Sequence, residues 1–134
     1  MIHLDTTFLV DLLREEGRGE VGAAHRFLEG LGEEEVVVSA HVVCELLAGA
    51  ECANDPGAER TRVATLLSAI PVAWPDDRFP PAYASLFGEL RRRGESVASM
   101  DLLIGTAARV AEAPLATRNT RDFERIPGLH VLSY

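Results

Sequence analysis

Asp5, Glu45, Asp101 and Asp122 are the residues of this chain whose type and placement could do chemistry together. Two like unit charges about 4 Å apart repel by roughly 1 kcal/mol in water and about 4 kcal/mol at an effective dielectric of 20. Four carboxylates in one pocket therefore need a counter-charge. Hard divalent cations supply it through oxygen donors, and Mg²⁺ or Mn²⁺ suits an all-carboxylate site. A site of that kind activates water for in-line attack on a phosphodiester.

No other constellation competes. His3, His25, His41 and His130 lack the spacing and the Cys partners of a zinc site. There is no glycine-rich phosphate loop, and Ser39 and Ser99 have no nucleophile-elbow context. Cys44 and Cys52 lie eight apart in one expected helix, a rise of about 12 Å, too far for a disulfide. Both read as small buried hydrophobes.

The elements that must position the acids follow from the apolar pattern. Ile2-His3-Leu4 reads as a short strand, and Asp5-Thr6-Thr7 opens a helix through Phe8, Leu9, Leu12 and Leu13 that Gly17 and Gly19 break. A second helix spans Val21 to Leu31. Val36-Val37-Val38 is β-branched and short, a buried strand, and Ser39 is the expected N-cap of the helix carrying Val42, Val43, Leu46 and Leu47. The turn Asn54-Asp55-Pro56-Gly57 precedes a helix through Val63 to Ile70. Val72-Ala73-Trp74 is a third strand, and Pro80-Pro81 can begin the helix that reaches Arg93. Ser99 is the expected cap of a nearly all-apolar helix, Met100 to Ala113, which should be buried on most faces. Leu115-Ala116-Thr117, a helical turn over 120–125, and Leu129 to Leu132 complete the chain.

Strands alternating with helices imply an α/β fold: one domain, residues 1–134, with a central, mainly parallel sheet of four to five strands in a three-layer α/β/α sandwich. Right-handed crossovers point the strand ends one way, and open α/β sheets bind ligands at their carboxyl edge. Asp5, Glu45 and Asp122 all fall there on topology, and Asp101 is the odd charge of a buried helix. Each acid also has an ordinary reading. Asp5 could cap its helix, Asp101 could answer a helix macrodipole, and Glu45 and Asp122 could face water.

Bulk properties are those of a folded chain: 134 residues, 47% hydrophobic and 25% charged. No apolar run approaches the roughly 20 residues of a membrane span, and no basic-then-apolar leader opens the chain; a cytoplasmic protein with no membrane contact is expected. The net charge of −8 is unusual for a nucleic-acid binder. It is unevenly spread: residues 91–134 carry seven Arg against five acids, and every cation in the chain is Arg.

The sequence closely resembles the PIN domains, and among them the VapC toxins of bacterial toxin–antitoxin pairs. The resemblance rests on Leu4-Asp5-Thr6-Thr7, on Val43-Cys44-Glu45-Leu46 with Gly49-Ala50-Glu51, and on Asp101-Leu102-Leu103-Ile104-Gly105. The last piece is the most specific: Thr117-Arg118-Asn119, then Asp122-Phe123 and Ile126-Pro127-Gly128. It implies a Mg²⁺- or Mn²⁺-dependent endoribonuclease, a homodimer, inhibited by a small VapB-like antitoxin that also binds promoter DNA. It assigns Asp5, Glu45, Asp101 and Asp122 as metal ligands and catalytic acids, and Thr6, Thr117 and Asn119 as polar neighbours orienting metal, water or phosphate. Thr7, Met100 and Gly105 depart from the usual residues, and none removes a ligand.

The mechanism expected is water activation at one or two metal ions, with Glu45 positioning or deprotonating the water. Arg118 is the expected phosphate contact beside Asp122, and Arg121, Arg125, Arg91 to Arg93 and Arg109 are further candidates. An acidic body should make few phosphate contacts and read RNA through shape or single-stranded loops. The rival readings are a catalytically weak PIN-fold module that binds RNA or protein, and a structure-specific DNA nuclease.

Overall fold

The computed structural model describes residues Met1–Tyr134. In chain order the elements are β1 (Ile2–Leu4), α1 (Thr6–Arg18), α2 (Ala23–Gly30), β2 (Val36–Ser39), α3 (Ala40–Glu51) and α4 (Pro56–Leu67). They continue as β3 (Val72–Ala73), α5 (Phe79–Arg92), α6 (Ser99–Val110), β4 (Leu115–Ala116), α7 (Thr120–Phe123) and β5 (Val131–Leu132). The five strands form one sheet in the order β3-β2-β1-β4-β5, and every pairing is parallel. This is the α/β sheet flanked by helices that the sequence pattern implies.

β1 is central because its three residues are all buried. Ile2 and Leu4 point to one face and His3 to the other, so both faces are covered. Leu4, Phe8, Leu9, Leu102, Ile104, Leu115 and Phe123 make the core around it. Burial, and then the charge of the chain amino group, push the His3 imidazole down to about 4. The strand order reverses direction at β1: β2 and β3 extend to one side, β4 and β5 to the other. Such a switch point opens a crevice at the carboxyl ends of the two strands beside it. Leu4 pairs with Ala116 in the register, so the next residues, Asp5 and Thr117, stand side by side at its mouth.

Several local details differ from the sequence expectations. α1 runs through Gly17 and ends at Arg18, capped by Gly19, which takes the left-handed conformation (φ 63°) and donates its N–H to the Glu15 and Glu16 carbonyls. Ser39 caps α3 as expected, accepting from Val42 N–H at 3.3 Å. Ser99 does not cap α6; Ala98 holds that position with extended backbone, and Ser99 is already helical. α6 ends at Val110 because the chain reverses through Glu112 at φ 53°. Cys44 and Cys52 are exposed, not buried. The core face of α3 is Val42, Leu46 and Ala50, and a residue two positions beyond a buried one turns to the opposite side.

Close packing brings α6 against the segment after α7. A Cβ at Gly105 would collide with Ile126 Cδ1, so glycine there lets Ile126 sit buried on the helix. No helix is long and apolar enough to cross a membrane.

Candidate active site

Asp5 sits at the N-cap position of α1, yet its side chain caps nothing. It is 2% exposed, and a buried carboxylate must be hydrogen-bonded. Its partners are two hydroxyls: Thr117 Oγ1 donates to Asp5 Oδ2 at 2.7 Å and Thr7 Oγ1 donates to the same oxygen at 2.9 Å. The backbone fixes the meeting, because Asp5 N–H donates to the Ala116 carbonyl at 3.0 Å. With both hydroxyls on Oδ2, Oδ1 is left for another partner.

The other acids arrive from three further elements. Glu45 lies in the second turn of α3, and Thr6 Oγ1 donates to its Oε1 at 2.7 Å. The residue after Asp5 thus orients Glu45, so α1 and α3 are tied at the crevice. Asp101 lies in the first turn of α6 and Asp122 in α7; both are partly buried. The Asp101 carboxyl is pushed up to about 6, first by burial and then by the charges of Asp5, Glu45 and Asp122. All three acids are therefore near enough to oppose its ionisation. Asp5, Glu45 and Asp122 all bear on the charge of Asp101, yet no three acids of the chain are close enough together to form a metal-ligand group as they stand.

None of the ion pairs in the structure involves Asp5, Glu45, Asp101 or Asp122, so no arginine neutralises them. Their donors are all hard oxygens, and Asp101 is held from ionising freely by its neighbours. That donor chemistry fits Mg²⁺ or Mn²⁺ and would not suit a softer ion.

The polar neighbours divide. Thr6 and Thr117 bond directly to acids. Asn119 contributes its backbone, donating N–H to Thr117 Oγ1 at 2.9 Å. Arg118 turns outward: its guanidinium donates to Asp11 Oδ1 at 2.8 Å, and its backbone N–H donates to Thr7 Oγ1 at 3.1 Å. Other arginines of the basic third are also held by the protein. Arg109 donates to the Pro127 carbonyl, Arg125 to the Ser96 carbonyl and Arg93 to Glu89.

Sequence reasoning passed over Asp11 and Tyr134, and gave Thr7 no part in the site. Tyr134 Oη donates to Asp11 Oδ2 at 2.6 Å, which makes Asp11 the acceptor for both Tyr134 and Arg118. Thr7 carried a legible signal, a hydroxyl two residues from the acid at the start of a helix. Asp11 carried none, since an acid in the second turn of a helix usually faces solvent.

Comparison with known proteins identifies the fold and the family. The model of the PIN domain matches residues 2–129. The chain is 30% identical over 99 residues to the tRNA(fMet)-specific endonuclease VapC of Shigella flexneri, covering 74% of this chain and 75% of that protein. VapBC2 from Rickettsia felis, solved bound to a DNA fragment from its promoter, has a chain that superposes at a TM-score of 0.90 with 25% identity, covering 100% of this chain and 99% of that one. DNA-bound VapBC from Salmonella typhimurium gives 0.88 at 25% identity, over 98% and 96% of the two chains. This chain belongs to the PIN domain family, in its VapC group.

Proposed function

We propose that this chain is the toxin of a toxin–antitoxin pair, a Mg²⁺- or Mn²⁺-dependent endoribonuclease that hydrolyses RNA phosphodiesters at Asp5, Glu45, Asp101 and Asp122. The nuclease class follows from membership of the VapC group; the metal, the RNA substrate and the residue roles are our reading. The observation that carries it is geometric: Asp5 is buried at the β1–β4 switch point with both hydroxyl bonds on Oδ2, and Asp101, whose carboxyl is raised first by burial and then by Asp5, Glu45 and Asp122, lies within reach of their charges.

Asp5, Asp101 and Asp122 would hold the ion, with Glu45 at its edge. When bound, it would neutralise the cluster and lower the pKa of water at phosphate. Thr7 and Thr117 keep Asp5 fixed through Oδ2, with Oδ1 toward the pocket. Thr6 holds one oxygen of Glu45, so the other can orient a water and accept its proton. Thr117 and Asn119 stand beside Asp5, where a phosphate oxygen would lie.

A VapB-like antitoxin is the proposed partner, and one groove suits it. It holds about 460 Å³ and is lined by Val10, Leu13, Leu46 and Val63, by Arg14, Arg18 and Arg62, and by Thr6 and Glu45. An amphipathic helix laid there would bring a basic side chain to the acids. For the homodimer, we propose the outer face of α5, where Tyr83 and Phe87 stack at 6.3 Å and Phe87 is 47% exposed. Cytoplasmic action is part of the same reading.

The test is cleavage of a structured RNA pool by pure protein. Mn²⁺-dependent cleavage, abolished by a chelator and by Asp101→Asn, is the expected result. Cleavage that survives either treatment would overturn the reading, and RNA binding without cleavage would favour the non-catalytic module.

A further inference from the structure

We propose that Tyr134 and Asp11 are positioning residues that clasp Arg118 and so hold the β4–α7 loop against α1, setting where Thr117 and Asn119 meet Asp5. The inference rests on the nuclease reading above.

Asp11 is one turn beyond Thr7 on α1, so the two side chains lie on one face of the helix. Each grips the same loop. Asp11 takes Arg118 Nη1 on Oδ1 and Tyr134 Oη on Oδ2, which engages both carboxylate oxygens. Thr7 Oγ1 accepts the Arg118 backbone N–H and donates its own O–H in a hydrogen bond to Asp5 Oδ2. Thr7 Oγ1 is also 3.3 Å from Thr117 Oγ1. A continuous chain of hydrogen bonds thus runs from Tyr134 to Asp11, Arg118, Thr7 and Asp5.

Tyr134 is itself anchored. Its ring meets Phe8 edge-on at 4.6 Å and Phe27 at 6.1 Å, and Phe8 is fully buried. Such an aromatic contact fixes the ring while its hydroxyl directs Asp11. Burial and the Asp11 hydrogen bond keep that hydroxyl protonated, hence a donor.

The clasp does little for stability. Arg118 is 55% exposed, and an ion pair with one end so open to water adds little to folding. What it fixes is direction. Two bonds leave an Arg118 loop able to rock about Thr7; a third, outboard of them, prevents it. Small misplacement at a reacting centre costs far more in rate than in folding.

Tyr134→Phe keeps the ring and removes only the hydroxyl. It is compared with wild type, Asp11→Asn and the double variant in cleavage of total tRNA with Mn²⁺, in melting temperature, and in amide exchange at Arg118 and Asn119. The expected result for Tyr134→Phe is a fall in kcat of about fivefold with KM and melting temperature nearly unchanged. Asp11→Asn should fall further, and the double variant should match Asp11→Asn because Tyr134 acts through it. Both amides should exchange faster by about tenfold. Unchanged kcat in Tyr134→Phe, or a fall that tracks melting temperature, overturns the proposal. Wild type that cleaves no RNA overturns the nuclease reading instead; unchanged exchange in Tyr134→Phe would then still sink the clasp.

Discussion

Asp5 Oδ2 accepts a 2.7 Å hydrogen bond from Thr117 Oγ1 across the junction between β1 and β4, and the parallel register of Leu4 with Ala116 brings the two residues side by side. The buried acid is held by hydroxyls, not by cations, so its charge remains available to a ligand.

Thr117→Val keeps the shape and removes the donor. A hydrogen bond to a charged group is worth about 1.5–3 kcal/mol, so Mn²⁺ affinity and cleavage should each fall about tenfold or more. Thr117→Ser should restore most of both. Calorimetry and a cleavage assay on the two variants check this.

The Asp101 carboxyl, raised from 3.8 to about 6, works against folding when no metal is bound. Between those values the folded protein holds a proton that the unfolded chain has released, so this group's contribution to stability grows as pH falls from 6 toward 4. Metal-free Asp101→Asn should therefore melt above wild type at pH 7, and the difference should shrink as pH approaches 4. His3 pulls the other way in both proteins and cancels from the comparison. Added Mn²⁺ should reverse the order by stabilising wild type alone, about 2.7 kcal/mol at a hundredfold excess over Kd. Thermal melts at two pH values with and without Mn²⁺ decide it.

Cys44 and Cys52 face solvent. Both thiols should react with a thiol reagent in the native protein at rates near those of the unfolded chain. Cys44→Ser and Cys52→Ser should each change stability by less than about 0.5 kcal/mol. Slow labelling or a large loss would restore a core role.

Gly49 lines the proposed antitoxin groove, and a Cβ there would meet nothing within 4 Å. Gly49→Trp should fold normally, fill the groove and weaken antitoxin binding about tenfold or more, given that such anchors commonly carry over 1 kcal/mol each. Pull-down or calorimetry with a VapB-like antitoxin tests it, with melting temperature and Mn²⁺ binding as controls for the fold.

The alternation of strands and helices was legible because each apolar run ends in a residue with a physical reason to end it: Ser39 as a cap, Pro56 and Pro80 at helix starts, Gly19 in a left-handed turn. The acids were legible because three of them follow strand ends. What resisted reading was direction. Cys44 and Val42 belong to one apolar-looking helix, and only the position of the sheet decides which turns inward. The Asp11–Tyr134 bond joins residues 123 positions apart, with no periodicity to announce it. Arg118 looked like a phosphate contact by its company, and the fold hands its guanidinium to Asp11.

The central claim is that four acids make one divalent-cation site. Its most direct test is a calorimetric Mn²⁺ titration of wild type against Asp5→Asn, Glu45→Gln, Asp101→Asn and Asp122→Asn. Saturable binding by wild type, weakened about tenfold or more by the change at Asp5, Asp101 or Asp122 and less at Glu45, is the expected result. Wild-type affinity in Asp5→Asn or Asp101→Asn would contradict it.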